Sequence, residues 1–413
     1  MSTGREVMNP SRIVVVGASL AGLRAVETAR REGFTGSLVL VRGEDFLPYD
    51  RPPLSKELID GSGSTSVPYL PGVHDLSDRL SVDLRLGTWA TAVVPDDRRI
   101  ELGNGESLEY DALVVATGAS ARTLPGTDHL RGVHTLRTAN DTHVIREALD
   151  SGARTVVIGA GFIGSEVASA ARKRGLEVTI VEALPTPLVR AVGHTAGAAL
   201  SALHTRFGTD LRVNASVARV EGTDHVTGVR MSDGEVIPAD LVIVGIGATP
   251  STQWLQSSGL LLDDGLVTDE FLRAAPRIWA AGDVARWSSP DFGRMLRLEH
   301  WSNAGDQGAH AMRNVLSDTP TSYRHIPYFW SEWYGNWIQF AGLPAGEPLV
   351  VAGGWDEPAF TALYRDDDRL IGVLTLNRRG DIMKYRAKIA ARTSWDDALA
   401  FAATRKPTDL PTP

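Results

Sequence analysis

Apolar and polar positions follow one another along this chain in an order that occurs twice. From Thr155 the run Val156–Ile158 has the length and β-branched content of a buried strand. It breaks at Gly159-Ala160-Gly161-Phe162-Ile163-Gly164 and resumes with apolar residues at helical spacing, Ile163, Val167, Ala170 and Ala171. A second apolar run, Val178–Val181, closes on Glu182. The same order stands earlier: an apolar run after Ser11, then Gly17-Ala18-Ser19-Leu20-Ala21-Gly22, a helical pattern to Ala29, and the run Leu38–Val41. Each copy is followed by short alternating segments (79–115 and 211–244) whose turns, such as Gly103-Asn104-Gly105 and Ser232-Asp233-Gly234, predict hairpins. Each set ends in a four-residue apolar run opening into glycine: Ala112–Val115 into Ala116-Thr117-Gly118, and Leu241–Val244 into Gly245-Ile246-Gly247. A short strand then breaks at Gly282-Asp283, and a helix is predicted from near Glu299, carrying Trp301, Ala304 and Gly308. From about Tyr323 the texture changes. Pro327 to Phe340 is densely aromatic, strand-like runs follow at Leu349–Ala352 and Leu370–Leu376, and a basic helix is predicted over Arg386–Ala391. The proline-rich tail from Arg405 lacks pattern and is expected to be disordered.

Strand, glycine turn, helix, strand and terminal acid form a complete dinucleotide-binding βαβ unit at 155–182. Gly159 permits the tight turn, Gly161 lets a pyrophosphate approach the backbone, and Gly164 lets helix and strand pack closely. The phosphates meet free N–H groups at the helix N-terminus. Glu182 can accept both hydroxyls of an adenosine ribose and would repel a 2′-phosphate, which predicts NADH rather than NADPH. In the first copy Ser19 replaces the middle glycine, remaining small and adding a hydroxyl donor. Arg42 and Gly43 stand where an acid is expected, so Glu44 is the candidate for the ribose. Two dinucleotide sites in one chain suggest two adenine cofactors, a hydride donor and an isoalloxazine acceptor.

Composition narrows this further. At 413 residues two or three domains are expected, and the net charge of −8 argues against nucleic acid as a main partner. There is no cysteine, which removes disulfides, Cys-ligated metals and thiol redox centres in one count. No metal site is expected. No apolar run approaches the roughly 18 residues that span a bilayer, so the expectation is a cytoplasmic protein without membrane contact.

Several stretches together resemble the FAD-dependent ferredoxin reductases of bacterial oxygenase systems, the relatives of putidaredoxin reductase and biphenyl-dioxygenase ferredoxin reductase. The marks are Gly17–Gly22, the loop Pro48 to Lys56, Ala116-Thr117-Gly118, Gly159–Gly164, Gly282-Asp283, Glu299-His300-Trp301 and Pro327 to Ser331. Arg-Pro-Pro-Leu-Ser-Lys and Tyr-Phe-Trp-Ser are the most discriminating of them. The resemblance implies an α/β fold of two Rossmann-like dinucleotide-binding domains, glutathione-reductase-like, plus a C-terminal α+β domain. Expected boundaries are 1–114 and 241–322 for FAD, 115–240 for NADH, and 323–413. It implies cofactor contacts at Gly17, Ser19, Leu20, Ala21, Gly22, Glu44, Arg51, Lys56, Ala90, Ala116, Thr117, Gly118, Arg137, Gly282, Asp283 and Trp301. Further contacts are implied at Gly159, Gly161, Phe162, Ile163, Gly164, Glu182, Gly245, Ile246 and Gly247.

By the same resemblance Lys56 and Glu166 pair beside the flavin, and Trp330 stands between the isoalloxazine edge and a docked ferredoxin. Trp333 occupies a position where relatives carry a smaller polar residue next to the partner face; as a residue it reads as packing, like Trp337. Electrons from NADH would pass through FAD singly to an iron–sulfur ferredoxin feeding a cytochrome P450 or ring-hydroxylating oxygenase. A monomer or weak homodimer is expected. The alternatives are an NADH oxidase or quinone reductase of the same fold, or an NADH-binding signalling flavoprotein. A basic patch for the ferredoxin is expected from Arg378, Arg379, Lys384, Arg386, Lys388 and Arg392, joined by Arg294 and Arg297.

Overall fold

A computed structural model describes residues 10–61 and 65–405. The tail expected to be disordered lies, beyond Arg405, outside the described residues. The chain forms two compact units, each of discontinuous sequence: 1–50, 67–120 and 249–325 in the first, 51–66, 121–248 and 326–413 in the second.

The first unit is built on a six-stranded sheet. Its middle strands, Ala112–Val115, Arg12–Val16 and Ser37–Val41, run parallel and are almost wholly buried. Continuous apolar runs suit strands covered on both faces. The helix Leu20–Arg31 leaves the first glycine turn and packs along the helix Trp301–Leu316. That approach is close: a Cβ on Gly308 would sit 2.0 Å from the Ala21 carbonyl oxygen. The helix predicted from Glu299 thus begins at Trp301, with His300 extended before it.

In the second unit a five-stranded parallel sheet has Thr155–Ile158 between Val178–Val181 and Leu241–Val244. This corrects the expected boundary at 240/241. Leu241–Val244 is hydrogen-bonded residue by residue to Thr155–Ile158, so the second unit continues to Ala248. The boundary expected at 114/115 likewise moves to 120/121, because Val115 still pairs with Val16.

Residues from 326 onward belong to the second unit as well, although they form their own five-stranded antiparallel sheet. The reason is a shared core: Val192, Ala196, Leu200 and Leu203 pack with Trp333, Ile338, Phe340 and Phe360. Tyr328–Trp333 and Asn336–Gly342 are joined by Tyr334-Gly335, both left-handed at φ +53° and +76°, as a tight hairpin requires. Tyr334 carries that strain with compensation. Its hydroxyl bonds His204 Nδ1 at 2.8 Å and Thr209 Oγ1 at 2.9 Å, and its N–H donates to Ser169 Oγ at 2.7 Å. The basic helix begins earlier than predicted, spanning Arg379–Ala390. Among the described residues no helix is long and apolar enough to cross a membrane.

Candidate functional site

The second glycine turn has the geometry its sequence suggests. Gly159 is left-handed at φ +98°, and a Cβ there would lie 2.5 Å from the Gly245 carbonyl oxygen. Gly161 is different. Its backbone is ordinarily extended (φ −79°, ψ 178°), and a Cβ would meet only Gly245 O at 3.7 Å. Neither strain nor packing within the protein demands glycine there, so the space it keeps suits a ligand. As N-cap of the helix Phe162–Lys173 it also brings no side chain to the first-turn N–H groups. Glu182 stands beside this turn, accepting from Ala160 N at 3.0 Å and Leu184 N at 2.9 Å. A dinucleotide fits these residues.

One turn into that helix, Glu166 is 3% exposed and receives three donors. Lys56 Nζ lies 2.9 Å from Oε1, Ser331 Oγ donates to the same oxygen, and Ser55 Oγ donates to Oε2. Pro52 and Pro53 open a short 3-10 turn, Pro52–Ser55, that fixes the approach of Ser55 and Lys56. Ser331 accepts in turn from Trp333 Nε1 at 2.8 Å. Trp333 is fully buried, so it does not stand at a partner face: it packs against Phe162 and stacks on His204. Burial holds His204 down, to about 4, so it is neutral at ordinary pH. On the other face of the same strand Trp330 is half-buried and stacks on Tyr328 with centroids 6.0 Å apart. Arg51 and Arg137 also lie in this unit, Arg51 donating to the Arg137 carbonyl.

The first unit gathers the remaining set. Gly17 is left-handed (φ +105°), and a Cβ would fall 2.1 Å from Ala116 O, the carbonyl just before Thr117-Gly118. Ser19 is the N-cap of the helix beginning Leu20-Ala21-Gly22. Gly282 donates its N–H to the buried Gln307 at 2.8 Å, in the turn that carries Asp283, and Trp301 Nε1 donates to Asp50 at 2.6 Å. Asn303 Nδ2 and Gln307 Nε2, both fully buried, have no hydrogen-bond partner among the described residues. Stranded donors beside a glycine turn and a helix N-terminus fit a polar cofactor such as FAD. Glu44 is less available than expected: Tyr49 OH donates to its Oε2 at 2.6 Å and the buried Arg42 sits 3.2 Å from the same atom. Gly43 faces the indole of Trp89, which would overlap any Cβ, just before Ala90 opens the strand Ala90–Val94.

Comparison with known proteins now settles the family. Residues 11–308 match the pyridine nucleotide-disulphide oxidoreductase family and 328–406 match a reductase C-terminal domain. The chain belongs to the pyridine nucleotide-disulphide oxidoreductase family. It is similar to rhodocoxin reductase of Rhodococcus erythropolis, 39% identical with 94% of each chain covered. It is also similar to putidaredoxin reductase of Pseudomonas putida, 35% identical over 89% of this chain and 88% of that one. Among solved structures, the covalent putidaredoxin reductase–putidaredoxin complex matches with a TM-score of 0.89 and 31% identity, covering 96% and 99%.

Within this pyridine nucleotide-disulphide oxidoreductase the disulphide of the family name has no counterpart, since the chain holds no cysteine. Sequence reasoning missed Ser55, Ser331, Trp89, Asn303 and Gln307. Ser55 and Ser331 lie inside Arg-Pro-Pro-Leu-Ser-Lys and Tyr-Phe-Trp-Ser, but a serine announces no partner; only the fold brings both to Glu166. The expected basic patch is thinner than its sequence. Arg378 is buried against Asp381 at 2.8 Å, Arg386 donates to Ile326 O, and Arg297 is tied to Asp264 and Glu299. Arg379, Lys384 and Arg392 remain exposed, Arg379 lying 3.7 Å over the Trp337 ring.

Proposed function

We propose that this protein is a flavoprotein reductase that takes a hydride from NADH into FAD and passes electrons singly to an iron–sulfur ferredoxin serving a cytochrome P450 or ring-hydroxylating oxygenase. The observation that carries this is the Lys56–Glu166 pair, built into the nucleotide helix and hydrogen-bonded to the strand that bears Trp330, in a chain with no cysteine. The names of rhodocoxin reductase and putidaredoxin reductase support it.

FAD, when bound, supplies the exchange between two-electron hydride chemistry and one-electron transfer. The chain does the rest. Gly159–Gly164 and Gly245–Gly247 receive the pyridine dinucleotide, with Glu182 on its ribose. Gly17, Ser19 and Gly22 receive the FAD pyrophosphate, and Asp283, Trp301 and the amides of Asn303 and Gln307 hold the flavin's polar chain and ring. Lys56, paired with Glu166 before the nucleotide arrives, orders the nicotinamide. Trp330 lies at the electron exit, with Arg379, Lys384 and Arg392 attracting an acidic ferredoxin for a transient encounter. The protein works in the cytoplasm as a monomer or weak homodimer.

Steady oxidation of NADH coupled to cytochrome c tests this. Turnover that requires added ferredoxin supports the reductase. Rapid turnover with oxygen or a quinone and no ferredoxin supports an oxidase or quinone reductase, and no turnover with any acceptor leaves a nucleotide-binding flavoprotein.

A further inference from the structure

A buried carboxylate with a single ammonium partner loses heavily when that partner moves, because an isolated charge is left out of water. Glu166 is not in that position. Lys56 is only one of its three donors, and it is the one on a long flexible stem; the other two are serine hydroxyls fixed by the backbone. Ser331 is also fixed in direction. A hydroxyl has one proton to give, and Trp333 Nε1–H occupies the acceptor side of Ser331 Oγ at 2.8 Å, so the proton goes to Glu166. Trp333 cannot adjust, being fully buried between Phe162 and His204. The strand is pinned again three residues on, where Tyr334 N–H donates to Ser169 of the same nucleotide helix.

We propose that Ser331, backed by Trp333, is a positioning residue that holds the Glu166 carboxylate in place independently of Lys56, freeing Lys56 to leave Glu166 for an arriving pyridine nucleotide. This rests on the reductase reading above. Its neighbour in sequence is Trp330, so the strand at the electron exit is bonded to the group that manages the nucleotide. Without the Ser331 hydroxyl, Oε1 of Glu166 depends on Lys56 alone, and Lys56 is held back.

The test uses the FAD-loaded full chain. In Ser331→Ala the limiting rate of flavin reduction by NADH should fall about tenfold, the scale of one hydrogen bond to a charged group, while the dissociation constant for NAD+ stays within about twofold. Ser331→Thr, which restores the hydroxyl, should recover most of the rate. Trp333→Phe removes the N–H along with the five-membered half of the indole but leaves Ser331 its own hydroxyl, so its loss should be smaller, about threefold. A readout independent of turnover is the Trp333 indole N–H resonance in isotope-labelled protein: it should shift in Ser331→Ala and keep its position in Ser331→Thr. Equal losses in the alanine and threonine variants would overturn the proposal, as packing rather than a hydrogen bond would then be at stake. So would an unchanged reduction rate in Ser331→Ala. Failure of the reductase reading itself looks different: the unmutated protein would not be reduced by NADH at all, whatever the indole resonance does.

Discussion

The two glycine turns of this chain are the same device finished in two ways. In both, a parallel strand runs into a left-handed glycine, at φ +105° for Gly17 and +98° for Gly159, and a carbonyl of the neighbouring strand's exit lies where a side chain would go. They differ where the ligand would lie. The second turn keeps Gly161 with open space beside it and ends its second strand on Glu182, whose carboxylate bonds the turn directly. The first has Ser19 at the corresponding place and ends its second strand on the buried Arg42, which reaches back to the Ala18 carbonyl and ties Glu44. The two proposed dinucleotide sites thus share one scaffold and differ in a few residues at the strand ends.

The largest expected effect separates scaffold glycine from ligand glycine. Gly17→Val should abolish soluble, flavin-loaded protein, because a Cβ would sit 2.1 Å from Ala116 O in a left-handed backbone; such strain and overlap cost roughly 3 kcal/mol or more. Gly161→Ala should fold and keep its FAD, with a melting change worth less than about 1 kcal/mol, yet lose at least tenfold in NADH affinity by titration calorimetry. If both variants lost the fold, the two kinds of glycine would not be distinct.

Acid should weaken each unit through a histidine, half-buried His300 in the first and fully buried His204 in the second. His300 in the first unit and His204 in the second are both held near 4, chiefly by burial. The unfolded chain takes up these protons near pH 6.5, so stability is full above that pH and is lost as pH falls toward 4. For the fully buried His204 the loss is on the order of 3 kcal/mol. Melts from pH 7 to 4 should flatten in His204→Gln; an unchanged acid slope would mean the proton is taken up elsewhere.

Next in size is the choice of nucleotide. NADH should exceed NADPH by at least tenfold in kcat/KM, about 1.4 kcal/mol, and Glu182→Ala should bring the ratio within about threefold. Glu44→Ala should matter less to FAD content, since Glu44 is already bonded to Tyr49. Equal use of the two nucleotides by the unmutated protein would remove Glu182 from the ribose.

Smallest is the surface. Reversing charge at Arg379 and Lys384 should lower kcat/KM for ferredoxin several-fold at low salt, as added salt should in the unmutated protein, while ferricyanide reduction stays flat. Normal coupling in the double reversal would place docking elsewhere.

What the sequence made legible follows from locality. Both βαβ units, their glycines, Glu182 and the apolar runs at 112–115 and 241–244 carry their meaning within about thirty residues, and the structure places all of them as strands, turns and helices. What depended on distant pairing was not legible. Leu241–Val244 looks like the start of a new domain until it is seen hydrogen-bonded to Thr155–Ile158. The C-terminal sheet looks separate until Trp333 is found in one core with Leu200 and Leu203. Arg378 reads as surface charge until Asp381 and burial account for it. Ser331 reads as nothing until Glu166, 165 residues away, is beside it.

One measurement bears most directly on the claim that a hydride enters this chain and electrons leave it singly. The FAD-loaded protein is reduced anaerobically with NADH and mixed in a stopped-flow apparatus with excess oxidised iron–sulfur ferredoxin. The expected result is bleaching of the ferredoxin's visible absorbance as the flavin reoxidises, with Trp330→Ala slower at that step and unchanged in reduction by NADH. A ferredoxin that stays oxidised, while oxygen or a quinone reoxidises the same flavin within the turnover time, would contradict it.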